Sequence, residues 1–305
     1  MDCQNVWERK SLVRSQSRRL IGEVEGDYFP PKLQWLCQDS YIGSLGKEAI
    51  NFILVQTLYK FLSDIAFLEN EVVASTVLKV VFNNIPIKVD WDTRLTLMTV
   101  VVDETYHSYA SLDYMKQIQE KTRIMPLPFS NRTAISRAIQ FTKLKLAEQY
   151  HSLFELIAVC LAENSITKEV FYLASENGTN QFFKDIMNDH FSDEARHSVI
   201  FQHLLKKIWS EIEEESKEVL GNILPIFIKQ FLSVEPVNEF NEQILEALKI
   251  DKTKTKEILE ATTAKYPVTK DRLMVKNIIQ CIQKAHILDH PSIKKIFLAE
   301  GLLPG

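Results

Sequence analysis

Two five-residue stretches, Asp103-Glu104-Thr105-Tyr106-His107 and Asp193-Glu194-Ala195-Arg196-His197, each set a glutamate and a histidine three residues apart. On a helix that spacing leaves the two side chains about 60° apart on one face. Two such helices, joined by one further Glu from each of two other helices, make the di-iron or di-manganese carboxylate site of a four-helix bundle. The chemistry that suits this donor set is redox chemistry at two metal ions. Carboxylate and imidazole ligands favour iron or manganese over the metals of soft-ligand sites.

Chance bears on how much each motif says. With 26 Glu and 7 His in 305 positions, random placement gives about 0.6 matches to E-x-x-H. The chain holds three: Glu104/His107, Glu148/His151 and Glu194/His197. The middle one lacks the preceding Asp of the other two. His151 also falls about 120° around a regular helix from Glu163, a better lone ligand. His151 is therefore expected to be an ordinary polar-face histidine.

The two lone carboxylates should lie on the helices that precede the motifs. Glu69 stands among Ile65, Ala66, Val72, Val73 and Thr76 at helical spacing. An acid in an apolar stripe is costly unless it is paired or metal-bound. Glu71 competes, since Phe67, Leu68 and Leu78 around it are also apolar, and the helical wheel favours Glu69 by about two to one. In the third helix Glu163 follows Leu156, Val159 and Cys160 on one stripe, with Glu155 as the lesser rival. His190 lies four residues before Glu194 and seven before His197, so these three share a face. Four carboxylates and three neutral imidazoles would balance two divalent ions, and a neutral cluster is cheaper to bury than a charged one. Asp103 and Asp193, one residue ahead of each motif Glu, are expected to accept the N–H of a ligating imidazole and fix its tautomer.

The elements that must position these residues are helical throughout. An apolar-periodic segment covers 44–82, and a helix over 91–121 carries the first motif. Met125-Pro126-Leu127-Pro128 breaks the chain, a third helix covers 132–162, and a fourth over 181–209 carries the second motif. A helix over 212–232, bent at Pro225, and shorter helices at 240–248, 255–264, 271–285 and 291–298 follow. No strand-like alternation or fixed-period repeat is visible. The expected fold is all-α: a ferritin-like four-helix bundle core with additional N- and C-terminal helices. Residues 1–305 read as one domain, with 1–40 an N-terminal extension, 41–210 the metal-binding bundle and 211–305 the C-terminal helices.

Composition agrees. Eight Gly and ten Pro in 305 residues suit long helices, and 46% hydrophobic residues supply a core. A net charge of −4 carries no nucleic-acid footprint. Cys3, Cys37, Cys160 and Cys281 are widely spaced without CxxC, and so are expected to be reduced thiols. The N-terminus lacks the apolar core of a signal peptide. No apolar run of about 18 residues is free of charge, so a spanning helix and a membrane partner are not expected. The expected location is cytoplasmic.

The set Glu69, Glu104-x-x-His107, Glu163, His190-x-x-x-Glu194-x-x-His197 resembles the p-aminobenzoate N-oxygenase family of di-iron enzymes. The likeness covers roughly residues 45–210, and the histidine at position 190 distinguishes it from ribonucleotide reductase small subunits, ferritins and acyl desaturases. The resemblance implies two iron ions, with manganese as the alternative, and O₂ as co-substrate. It implies oxidation of a primary amine, free or carrier-bound, to the hydroxylamine, nitroso or nitro level in natural-product biosynthesis. No flavin or nicotinamide fingerprint occurs, so electrons are expected from a separate donor. A homodimer is also expected. Two other readings stand beside this one. The first is a di-iron C–H hydroxylase or radical generator, for which Tyr59, Tyr106 and Tyr109 are near enough in sequence. The second is an iron-storage bundle. Arg272 is a candidate anchor for a substrate carboxylate, because a guanidinium grips a carboxylate through two bonds.

Overall fold

The computed structural model describes residues 3–128, 130, 132–175 and 177–304. Among the described residues there is no strand, and the fold is an all-α, ferritin-like helical bundle. Two short helices, α1 (Cys3–Lys10) and α2 (Leu12–Ser15), open the chain. After α3 (Ser40–Ser44) come the four long elements of the bundle. The first is α4 (Lys47–Phe67), which passes through a π-helical segment, Leu68–Ala74, into α5 (Ser75–Val81). The others are α6 (Trp91–Thr122), α8 (His151–Ser175) and α9 (Gln181–Glu211), with α7 (Ala134–Lys143) lying between α6 and α8 in the chain. α4 packs along α6 and α8 along α9. Contacts of α6 with α9 and of α5 with α8 close the bundle.

The ends of these helices follow from local chemistry. Asp90 accepts from the Thr93 amide at 2.7 Å and Asn180 from the Phe183 amide at 2.8 Å, each satisfying an amide that a helix start leaves without a partner. α6 stops at Arg123, which takes a left-handed conformation (φ 61°). The proline-containing linker beyond it is pinned by the buried Gln56. This amide donates to Met125 O and accepts from Leu127 N, both at 2.8 Å.

One expectation fails. The third helix does not run unbroken over 132–162. α7 ends at Lys143, a 3-10 turn occupies Glu148–Tyr150, and α8 begins at His151 and continues to Ser175. Ala147 is extended (ψ 146°). His151 Nε2 bonds to the carbonyls of Lys143 and Leu146 at 3.0 and 3.1 Å. The histidine thus ties together the last carbonyl of α7 and one in the turn beyond it.

By length and composition the continuous helix Lys47–Val81, with a window of mean hydropathy 1.2, could cross a membrane. In the fold 44% of that window is buried, and the helix turns Glu69 into the interior, which is how a core helix behaves.

The apolar core is split along the helices. Tyr28, Phe29, Leu54, Leu58, Tyr59, Tyr114, Ile118, Phe183 and Met187 form one cluster. Val73, Val77, Leu97, Val100, Phe154, Phe201 and Leu205 belong to another. Each of α4–α5, α6 and α9 contributes to one cluster with one stretch of its length and to the other with a later or earlier stretch. The segments between, around Glu69, Glu104–His107 and His190–His197, hold most of the buried acids and histidines.

The N-terminal extension crosses α6 and α9 and reaches the start of α9. Asp27 N donates to Gly178 O, and Asn180 N donates to Asp27 O, both at 2.9 Å. Gly26 is required there: its φ is 92°, and a Cβ would stand 2.5 Å from Gly178 O. The C-terminal helices are α10 (Glu214–Phe231), α11 (Glu235–Ala247), α12 (Lys252–Thr263), α13 (Leu273–Lys284) and α14 (Pro291–Ala299). α10 packs on α7 and α14, and α13 packs on α8. Cys160 and Cys281 are buried and Cys37 is half-buried.

Candidate metal centre

Three helices and one π-segment bring all seven expected ligands together in the interior. Glu69, Glu104, His107, Glu163, His190, Glu194 and His197 are each at most 5% exposed. They form two four-donor groups: Glu69, His107, His190 and Glu194, and Glu104, Glu163, Glu194 and His197. Within each group the donor atoms lie within 4.8 Å of one another, and Glu194 belongs to both. Glu104 also faces both sides, with Oε2 at 3.3 Å from His107 Nδ1 and Oε1 at 3.2 Å from His197 Nδ1. Glu194 and Glu104 are thus the two acids that lie between the groups.

The π-segment decides which acid on the first helix turns inward. Its wider turns place Glu69 in the interior at 4% exposure, while Glu71 is exposed. Such π-bulges concentrate at functional sites. Glu155, the rival of Glu163, instead pairs with Lys79 at 2.8 Å and with Lys143. His151 caps α7 and belongs to neither group. Of the three tyrosines considered, Tyr59 is buried and donates to Ile124 O at 2.9 Å, and Tyr109 is 53% exposed.

The orientation of each imidazole is set from outside. His107 and His197 turn Nδ1 toward the glutamates and Nε2 toward an aspartate. His107 Nε2 donates to Asp193 Oδ2 and His197 Nε2 donates to Asp103 Oδ2, both at 3.2 Å. A carboxylate can only accept, so it fixes the proton on Nε2 and leaves the Nδ1 lone pair for a metal. Each aspartate thus faces the histidine of the other motif. His190 turns Nε2 inward, 2.9 Å from Glu69 Oε1 and 3.4 Å from Glu194 Oε1, and its ring stacks on that of His107 at 4.2 Å.

The charge of the cluster is that of a cation site. Burial raises the Glu69 carboxyl to about 7, against the opposing pull of His190 and His107. Burial, with Glu194 and Glu104 nearby, raises Glu163 well above the usual carboxylate range. Burial and His107 both lower His190, yet Glu69 and Glu194 outweigh them and bring it to about 9. Burial works against the charge of His197 too, but Glu104 and Glu194 raise it well above an ordinary imidazole. For Glu194 burial is outweighed by His197 and His190, which hold it well below the usual range. The metal-free centre thus keeps protons on groups that would otherwise repel one another. Glu69 Oε2 is buried with no hydrogen-bond partner. Buried polar atoms almost always have a partner, so this oxygen fits a metal ligand. Hard oxygen and imidazole donors, four acids and three histidines, fit two divalent iron or manganese ions.

Sequence reasoning missed three groups around the centre. Arg196 bonds Asp193 Oδ1 through Nη1 at 3.0 Å and Asp103 through Nη2. Trp7 Nε1 donates to Asp103 Oδ1 at 2.8 Å, and the Leu12 amide donates to Asp193 Oδ2 at 3.1 Å. Arg196 lies inside the second motif and was open to notice, whereas nothing near Trp7 or Leu12 in the sequence marks them.

The all-α bundle thus buries seven carboxylate and histidine donors in two groups, each of which could hold a metal ion. The sequence profile of the p-aminobenzoate N-oxygenase AurF family matches residues 47–275, and the chain belongs to that family. It is also similar to a 4-aminobenzoate N-oxygenase of Streptomyces thioluteus, at 22% identity over 139 residues. That alignment covers 45% of this chain and 41% of the relative.

Proposed function

We propose that this protein is a di-iron N-oxygenase that uses O₂ to oxidise a primary amine. The observation that carries the reading is the pair of four-donor groups sharing Glu194, with His190 adding a third nitrogen, in a chain of this family. Glu69, His107 and His190 would hold one metal ion and Glu163 and His197 the other, with Glu104 and Glu194 within reach of both. When bound, two irons in this donor set supply the reducing electrons that activate O₂. The chain's own share is to bind, orient and dry the centre. Asp103 and Asp193 fix the inward Nδ1 atoms, and the two apolar clusters above and below keep water from the reaction. Reducing equivalents come from a separate donor. The active form is a homodimer, and manganese is the alternative metal.

A cleft of about 490 Å³ is the candidate substrate site, within the usual size for small-molecule pockets. Phe61 and Asp64 on its wall lie on α4, the helix that continues to Glu69. Trp35 and Tyr266, stacked at 4.1 Å, form an aromatic side. Arg272 also lines it, with Nη1 donating to Leu232 O at 2.7 Å, and is the proposed anchor for a substrate carboxylate. The product, at the hydroxylamine, nitroso or nitro level, belongs to natural-product biosynthesis.

The test is metal analysis of the purified protein, followed by mass spectrometry of products from a panel of aromatic and aliphatic amines under Fe(II), O₂ and reductant. Near two metal ions per chain and oxygen added at nitrogen are expected. Oxygen added only at carbon, or a stable tyrosyl radical without amine oxidation, would replace the reading with that of another di-iron oxidase. Deposition of bulk ferric mineral would make it a storage protein.

A further inference from the structure

The first residues of the chain lie outside the family match at 47–275, yet they touch both aspartates that brace the ligand imidazoles. Trp7 Nε1 reaches Asp103 Oδ1, whose other oxygen holds His197. Leu12 N reaches Asp193 Oδ2, the same oxygen that holds His107. Both aspartates are fully buried. Resting on the metal-centre reading above, we propose that residues 3–12 are a positioning strap for that centre: Trp7 acts through Asp103 on His197, and the Leu12 amide acts through Asp193 on His107.

The argument is one of satisfied acceptors. Asp103 receives three donors: the Trp7 indole on Oδ1, and Arg196 and His197 on Oδ2. Together they leave the carboxylate one orientation. Without the indole, Oδ1 is buried and has lost its donor, and the group is free to turn toward Arg196. His197 then loses the acceptor that fixes its proton on Nε2. Partners in direct contact with a ligand are worth about 10–100-fold in metal affinity, and Trp7 stands one bond further out.

The strap does not depend on Trp7 to stay docked. Arg18 pairs with Asp113 at 2.7 Å, and Arg19 pairs with Asp189. Gln117 accepts from the Ile21 amide at 2.8 Å and donates to Arg19 O at 3.0 Å. The Asp27 bridge to Gly178 and Asn180 follows. Removing one indole N–H therefore changes the pull on Asp103 and leaves the segment in place. The two halves of the strap also act on different metals, since His197 belongs to one four-donor group and His107 to the other.

The experiment is stepwise Co(II) binding to the metal-free full chain, read by its visible d–d bands, with the melting temperature of the metal-free protein alongside. Trp7→Phe keeps most of the ring packing and removes the donor. It should weaken one of the two Co(II) equivalents by about tenfold, alter the band of that ion alone, and lower the metal-free melting temperature only by what one lost hydrogen bond to a buried carboxylate costs. Trp7→His, which restores an N–H, should recover part of the loss. A chain starting at residue 13 should weaken both equivalents. Two unchanged isotherms in Trp7→Phe would make the strap a mere cover and overturn the proposal. Equal weakening of both ions with a larger fall in the metal-free melting temperature would also overturn it, because Trp7 would then act on the bundle as a whole. A wild-type chain that takes up no Co(II) would instead remove the metal-centre reading itself, and this proposal with it.

Discussion

The carboxylate of Asp103 meets Nε2 of His197 at 3.2 Å across the bundle, rather than His107 one turn along its own helix. Asp193 returns the relationship to His107 at the same distance. Each motif thus supplies a glutamate and a histidine to the centre and an aspartate to the other motif's histidine. The two bonds, with Arg196 spanning both aspartates, tie α6 to α9 where the metal ligands sit.

Crossed bracing makes a prediction that straight bracing does not. Asp103→Ala should weaken the metal held by His197, and Asp193→Ala the metal held by His107, each by about 10–100-fold. Co(II) or Mn(II) titrations of each mutant alone and combined with His107→Ala or His197→Ala check this. Loss from Asp103→Ala that overlaps the loss from His107→Ala, rather than that from His197→Ala, would contradict the geometry.

Glu69→Gln should remove most of one metal equivalent, whereas Glu71→Gln should leave metal content and melting behaviour near wild type. Glu69 is buried with an unpartnered Oε2, and Glu71 is exposed. Surface substitutions of this kind stay within about 0.5 kcal/mol. Elemental analysis of both proteins decides the matter.

The same pair shows what the sequence could carry. Both motifs, three of the four long helices and a short set of candidate acids and histidines were legible, because helical spacing and buried charge leave a pattern along the chain. The wheel around Glu69 and Glu71 stayed ambiguous for a physical reason. The π-segment changes the period from 3.6 residues per turn, so apolar residues fall around both acids when a regular helix is assumed. The break before His151 was hidden because its signal is a side chain bonding carbonyls five and eight residues back. Trp7 and Leu12 find their aspartates 96 and 181 residues away, a relation that only the fold creates.

Removing the His151 side chain should cost stability and leave metal binding nearly intact. Its Nε2 serves Lys143 O and Leu146 O. Losing such bonds at a partly buried helix end costs about 1–2 kcal/mol. Denaturant melts of metal-free His151→Ala measure the first effect and Mn(II) titration the second. A metal-free His151→Ala chain with wild-type stability would mean that the bonds to the end of α7 contribute nothing.

Gly221 is where α10 meets α14. A Cβ there would lie 2.1 Å from Ile293 Cδ1 and 2.7 Å from its Cγ1. Gly221→Ala should therefore destabilise by about 1–3 kcal/mol, despite the better helix propensity of alanine. The double variant Gly221→Ala with Ile293→Val removes the closest atom and should recover part of the loss in the same melts. An unaltered or raised melting temperature in the single variant would show that α14 moves away freely.

Protonation links the centre to pH. In the metal-free protein Glu69 is raised from 4.5 to about 7 by burial, and His190 is raised from 6.5 to about 9 by its acidic neighbours against the effect of burial. Both folded values exceed the unfolded ones. The stability these two groups contribute is therefore complete at low pH and lost as pH rises, through about 7 for Glu69 and about 9 for His190. Glu194 runs the other way. Its folded value lies well below 4.5, so its contribution is present above that value and fades in acid. A metal requires these ligands without their protons. Metal binding must therefore expel the protons of Glu69 and His190, at a cost that falls as pH rises through about 7 and then about 9. The gap in melting temperature between Mn(II)-loaded and metal-free protein should widen steadily from about pH 6 to about pH 9. Proton release measured in weakly buffered solution should shrink over the same range. In Glu69→Gln the part of the widening centred near pH 7 should disappear. A gap that stays constant with pH in the wild-type chain would mean that the metal displaces no protons from these residues, and that it binds elsewhere.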